Sequence, residues 1–170
     1  MGAKQQGATV TDGRWLTIPR TLCFIFNGND VLLMKRAAHK RIFPNCYNGV
    51  GGHIERDEDP LTSARREIRE ETGLIVNNLQ LRAVYNIDTN EANGIILFIF
   101  TGETKTRNVT PNSEGSLHWV PRGEVMRLAL VEDLPYILPR IFAMEDNTPP
   151  LFVHVSYDNN DEIRLKFADD

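Results

Sequence analysis

Apolar and polar positions along the chain predict a run of short strands and one strongly marked helix. Thr17 to Phe26 is β-branched and aromatic, and Val31 to Met34 is a second apolar run. Asn27-Gly28-Asn29-Asp30 between them predicts a hairpin, because an Asn-Gly pair accepts the positive φ angles of a tight turn. Residues 36–49, with Arg36, Lys40, Arg41, Pro44 and Asn45, read as a basic loop, and Val50 to Glu55 as a short strand interrupted by Gly51-Gly52. A helix follows. Asp59 can cap it, Pro60 fits its first position, Leu61, Ala64 and Ile68 recur at helical spacing, and Gly73 can end it in the left-handed conformation. Leu79–Asp88 and Gly94–Gly102 read as strands, residues 103–115 as a polar loop, and Leu117–Val120 as another short strand. Arg122–Met144 reads as helix in two pieces, broken near Leu134-Pro135. Leu151–Tyr157 and Glu162–Phe167 alternate around a polar turn and predict a second hairpin. Phe24, Phe26, Phe98 and Phe100 are core candidates, and Trp119 sits on a short apolar strand. The sum is an α+β fold, a mixed sheet with a few helices packed on it.

Composition narrows the class. The 170 residues suit one domain, expected over 16–170 after a flexible polar lead at 1–15. With 41% hydrophobic and 25% charged residues the chain is ordinary globular material. The net charge of -4 argues against nucleic-acid polymers and anionic membranes as partners, since both select basic surfaces. The run Ile95 to Phe100 is too short to span a bilayer, the N-terminal residues lack the apolar core of a secretory signal, and Gln6 stands where a myristoylation site wants Ser or Thr. Cys23 and Cys46 read as reduced thiols, which fits a cytoplasmic protein.

The chemistry concentrates on the helix. Glu67, Glu70 and Glu71 stand at i, i+3 and i+4 and share one face. They repel one another, and they lie at the negative end of the helix dipole. Arg66 and Arg69 supply part of the compensating charge, and a hard divalent cation would supply more. Taken alone, such a run is better read as a solvated face laced with Arg–Glu pairs. The surrounding spacing adds to it. Gly52 is followed after five residues by Glu58, then after seven by Arg66-Glu67-Ile68-Arg69-Glu70-Glu71-Thr72-Gly73-Leu74.

This stretch resembles the Nudix box, Gx5Ex7REUxEExGU with U aliphatic, at every specified position. The resemblance implies the Nudix α/β/α sandwich, here with a C-terminal β-hairpin, and a pyrophosphohydrolase that cleaves a nucleoside diphosphate linked to some further group. It implies Mg²⁺ or Mn²⁺ held by Glu67, Glu70 and Glu71. Gly52, Glu58 and Arg66 complete the catalytic motif, Glu58 supporting the loop–helix junction and Arg66 orienting the acids. Glu114, five residues before Trp119, is a candidate further metal acid or an ordinary loop acid.

Substrate expectations come from the same resemblance. Landmarks of the ADP-ribose, diadenosine polyphosphate and NADH branches are absent, which leaves the MutT-like branch acting on (deoxy)nucleoside triphosphates. Asn48-Gly49-Val50-Gly51-Gly52 resembles the strand of the oxidised-purine triphosphatases whose Asn contacts the base. Glu132-Asp133 stands where that group carries paired acids, and Tyr47 where it commonly has Trp. The expectation is hydrolysis of a nucleoside triphosphate, 8-oxo-dGTP among the candidates, to monophosphate and pyrophosphate. Asn48, Glu132, Asp133 and Tyr47 would bind the substrate in a monomer or homodimer. Two alternatives stand beside it: the same fold acting on another nucleoside diphosphate derivative such as a nucleotide sugar, and a non-enzymatic nucleotide-sensing module. The intact acids count against the second.

Overall fold

The computed structural model of the chain describes residues 3–7, 13–110 and 112–168. Its centre is a long strand, β1 (Leu16–Asn27), buried on both faces from Thr21 to Phe26. That double burial is why the strand reads as an unbroken apolar run rather than an alternation. β1 turns into β2 (Asp30–Arg36), followed by β3 (Tyr47–Asn48), helix α1 (Pro60–Thr72), β4 (Gln80–Ile87), β5 (Asn93–Glu103) and β6 (Gly115–Pro121). A 3₁₀ turn (Arg122–Arg127), helix α2 (Leu134–Phe142) and the hairpin β7 (Leu151–Tyr157) and β8 (Ile163–Phe167) complete the order.

The strands form one mixed sheet in the order β3-β2-β1-β5-β4-β7-β8, with β6 on the free side of β2. β1 runs parallel to β5 along its full length, and β4 runs parallel to β7; the hairpin partners are antiparallel. Alternate residues of β1 and β2 feed two separate cores. Cys23, Ile25, Leu32 and Met34 pack with Ala64 and Ile68 of α1 on one face. Leu22, Phe24, Phe26, Val31 and Leu33 pack with Leu134, Ile137, Leu138 and Ile141 of α2 on the other. The result is the expected α/β/α sandwich with a C-terminal hairpin.

The sheet forks near its middle. β2 pairs with β1 only over Ile25 to Asn27, and then Met34 and Lys35 pair with β3 instead. The segment after β3 enters the gap and touches β1 at two isolated points, Val50 opposite Cys23 and His53 opposite Arg20. The uninterrupted strand expected over Val50–Glu55 is therefore absent, because Gly51, at φ 154°, breaks the ladder.

Two other expectations are corrected. In the first hairpin Asn27 closes β1 and only Gly28 takes positive φ (59°), so the turn residues are Gly28-Asn29. The helical break falls at residues 128–133. Leu134-Pro135 opens α2 instead of interrupting it, since a proline in the first turn gives up no hydrogen bond. Much of the expected flexible lead lies outside the described residues; within them are a 3₁₀ turn at Ala3–Gln6 and Trp15, whose ring lies over Gly94. No helix among the described residues is long and apolar enough to cross a membrane.

Helix α1 begins and ends as its sequence predicts. Asp59 accepts from the Leu61 and Thr62 amides at 2.8 and 3.0 Å and from the Thr62 hydroxyl at 2.6 Å. Gly73 closes the other end at φ 75°. Asp59→Ala is expected to lower the stability of the fold, because the Leu61 and Thr62 amides lose their acceptor. Urea denaturation with an unchanged m value is the measurement.

Candidate active site

The fork opens onto a cavity of about 860 Å³ with two chemically different ends. At one end α1 presents Glu67, Glu70 and Glu71, and the loop before β6 adds Glu114. At the other, strands β4, β5, β7 and β8 supply Tyr85, Ile87, Leu97, Val155 and Ile163, and Glu132 and Asp133 come from the start of α2.

Two glycines bring the acids against the sheet. A Cβ on Gly51 would stand 2.2 Å from the Thr21 carbonyl oxygen, so only a bare backbone can approach β1 there. A Cβ on Gly52 would stand 2.4 to 2.9 Å from the carboxylate of Glu67. The Gly51 amide donates to Oε2 of Glu71 at 2.9 Å, and the Thr21 amide donates to the Gly52 carbonyl at 2.8 Å. Helix and loop are thus joined through the acids themselves.

Arg66 is the hub of the carboxylate end. It binds both oxygens of Glu58 at 2.6 and 2.9 Å, Glu67 at 2.8 Å, Glu70 at 3.1 Å and the His53 carbonyl at 3.0 Å. This guanidinium holds the Glu58 carboxyl down at about 2, and the carboxylates push Arg66 up in turn. Glu58 and Arg66 sit behind the cavity wall and set where Glu67 and Glu70 point. Glu71 has no such cation; what holds it is a neutral amide. Burial lifts its carboxyl to about 7 against the pull of the Gly51 amide, and the charges of Glu67 and Glu114 add to the rise.

Asn112 ties the fourth acid to the helix. Its side-chain amide donates to the Glu71 carbonyl, and its oxygen accepts from the amides of Glu114 at 2.8 Å and Gly115 at 3.3 Å. Glu114 itself meets Lys40 at 2.5 Å. Among the described residues no three acidic, His or Cys side chains converge as a finished metal cage. The donor set is nonetheless hard oxygen, and the half-buried Glu71 carboxyl feels the charge of Arg36 but is bonded to a neutral amide. In donor chemistry, though not yet in convergence, these residues suit a hard divalent cation.

The opposite end brings together most of the residues expected to bind substrate. Asn48 lines the cavity, with its Oδ1 accepting from the Gly49 amide at 2.8 Å. Tyr47, the preceding strand residue, points the other way, with its ring edge-to-face on His118 at 5.6 Å and Lys35 above it, and does not line the cavity. Backbone bonds from Tyr47 to Ala129 and from Val131 to Tyr47 dock the segment leading into α2 beside β3. Glu132 accepts from the Tyr157 hydroxyl at 2.8 Å. Asp133 stands at the start of α2 without capping it. Burial, reinforced by the charge of Glu132, pushes its carboxyl up to about 6.

Among the lining residues that the sequence does not mark are Arg20, Thr21, Tyr85, Asn112 and Tyr157. Arg20 Nε, Thr21 Oγ1 and the Tyr85 hydroxyl are buried without a hydrogen-bond partner. Burial lowers the proton affinity of Arg20, and nearby Arg36 lowers it further. A polar tip on an inward position of a buried strand was the available signal.

The raised Asp133 carboxyl sets a pH dependence. Its folded value, about 6, exceeds the ordinary 3.8. The fold therefore favours the protonated form, and that contribution is complete below the unfolded value and lost as pH rises through 6. Asp133→Asn removes the loss. The variant is expected to be more stable than the parent by about 3 kcal/mol at pH 7, with the difference gone by about pH 3.5. Denaturant melts at the two pH values read this directly.

Comparison with known proteins supports the same assignment. A model of the NUDIX domain family matches residues 16–141. The Nudix hydrolase YvcI of Bacillus subtilis is 28% identical over 123 residues, covering 69% of this chain and 75% of that protein. The nucleoside triphosphatase NudI of an Enterobacter species is 33% identical over 122 residues, covering 64% of this chain and 84% of that protein. In fold, the crystal structure of the MutT protein from Bacillus halodurans superimposes with a TM-score of 0.76 at 22% identity, over 90% of this chain and 99% of the other. With the acids, glycines and guanidinium arranged around one cavity, the chain belongs to the NUDIX family and is a Nudix hydrolase.

Proposed function

We propose that the protein hydrolyses (deoxy)nucleoside triphosphates to monophosphate and pyrophosphate with Mg²⁺ or Mn²⁺, and that oxidised purine nucleotides such as 8-oxo-dGTP are among its substrates. The observation that carries the reading is the two-ended cavity. Clustered carboxylates suit a cation-bridged polyphosphate, and a largely apolar chamber with a few polar tips suits a base. The similarity to a nucleoside triphosphatase supports the triphosphate class.

Glu67, Glu70 and Glu71 would hold the cation, with Glu114 as a fourth oxygen donor. Such an ion, when bound, offsets phosphate charge and lowers the pKa of water. Arg20 and Arg36 line the same cavity and offer guanidinium groups to phosphate oxygens. A carboxylate of the cluster takes the proton of the attacking water. Glu58 and Arg66 keep the acids in register, and Gly52 lets Glu67 reach the loop backbone. Asn48, Glu132 and Asp133 face the base; Tyr47 contributes through its backbone. An enzyme of this kind works on soluble nucleotides in the cytoplasm as a monomer or homodimer.

The test is a nucleotide screen with product identification. Release of pyrophosphate and monophosphate is expected with Mg²⁺ and none in excess EDTA. Undiminished turnover in EDTA would overturn the metal dependence, and sugar phosphate as the product would move the substrate to nucleotide sugars.

Glu71→Gln separates catalysis from folding. It is expected to lower kcat at least a hundredfold, about 3 kcal/mol of transition-state stabilisation. The thermal midpoint should hold or rise, because a buried carboxylate among like charges is removed while the oxygen facing Gly51 is kept. Full activity, or an unfolded variant, would show a structural acid.

A further inference from the structure

Tyr85 carries a polar group that the fold does not use. The residue is 0% exposed, and its hydroxyl is buried without a hydrogen-bond partner. It sits on β4 between inward-facing Ala83 and Ile87, where a phenylalanine would pack as well and leave nothing unpaired. An unsatisfied buried hydroxyl is destabilising, and native proteins keep few of them. The residue lines the cavity at its apolar end.

Its neighbours sharpen the point. Glu132 and Tyr157 satisfy each other across 2.8 Å. Asp133 forgoes the capping bond that its place before α2 invites. Tyr85 and Asp133 line the same cavity, where burial, and after it the charge of Asp133, pushes the phenol's pKa up. They come from a strand and a helix start 48 positions apart, so no local turn explains the pairing. Two polar groups are thus held in an apolar chamber, one a donor and the other an acceptor.

We propose that Tyr85 is a specificity-determining residue whose hydroxyl donates to the bound base beside the Asp133 carboxylate, the two together gripping a ring edge that sets an N–H next to an acceptor atom. The carboxylate takes the N–H, and the phenol gives its hydrogen to the adjacent carbonyl oxygen or ring nitrogen. Binding then gives the hydroxyl the partner that the fold withholds, and a site built this way rejects rings that lack the matching edge. The inference rests on the nucleotide reading of the cavity and adds a residue to it.

Tyr85→Phe removes only the oxygen. Calorimetry with dGMP and dAMP, without metal, reads base binding apart from catalysis; steady-state kinetics with the triphosphates read both. The Kd of the tighter-binding monophosphate and the KM of its triphosphate are expected to rise at least about tenfold. Turnover should stay within about twofold, inhibition by inorganic pyrophosphate should be unchanged, and the thermal midpoint should be equal or higher. Combining Tyr85→Phe with Asp133→Asn should cost less than the product of the separate losses. Unchanged Kd and KM would overturn the proposal. So would a midpoint lowered by several degrees, which would mean that the hydroxyl serves the fold. A parent protein that binds neither monophosphate and cleaves no triphosphate would remove the nucleotide reading itself. A parent that does both, beside an unaffected Tyr85→Phe, would remove Tyr85 alone.

Discussion

A single guanidinium makes this active centre possible. Three glutamates on the last turns of a helix would splay apart into water if left to their mutual repulsion. Arg66 prevents this by contacting Glu58, Glu67, Glu70 and the His53 carbonyl together. Because Glu58 precedes the helix and His53 lies in the loop, one side chain fixes helix, loop and acids relative to one another. Glu71 escapes that neutralisation. It is the acid left with an unmet demand for positive charge, and it faces the cavity.

The fork in the sheet does the complementary work. β2 abandons β1 for β3, and the glycine-bearing segment fills the opening. A continuous ladder between β1 and β2 would have left no opening at this point. The same opening docks the approach to α2 against Tyr47, which carries Glu132 and Asp133 to the far end of the cavity. One departure from regular pairing therefore builds both ends of the site.

What could be read in the sequence was local. The cap, the proline and the left-handed glycine of α1 are near neighbours in the chain, and the acids follow from helical spacing alone. The two hairpins are legible for the same reason. Tyr47 lies outside the cavity because strand alternation turns its ring towards His118 once Asn48 faces inward. Asn112 and Tyr85 were invisible because their importance comes from partners, or missing partners, supplied by distant segments. Asn112 matters through the Glu71 carbonyl and the Glu114 amide, and nothing in the surrounding loop sequence announces either. The break before α2 was misplaced because Leu134-Pro135 is compatible with ending a helix or beginning one.

The parallel pairing of β1 with β5 bears on how the molecule comes to be active. Every partner in that ladder is 77 positions away, from Leu16 opposite Asn93 to Phe26 opposite Glu103. Helix α1 and both hairpins close over short distances and can form early, whereas a ladder of this separation must first pay for a long loop. Until it forms, the carboxylates and the β1–β2 hairpin belong to one piece of chain, while Tyr85 and the terminal hairpin belong to another. Chemistry and recognition therefore become parts of one site only when that ladder closes.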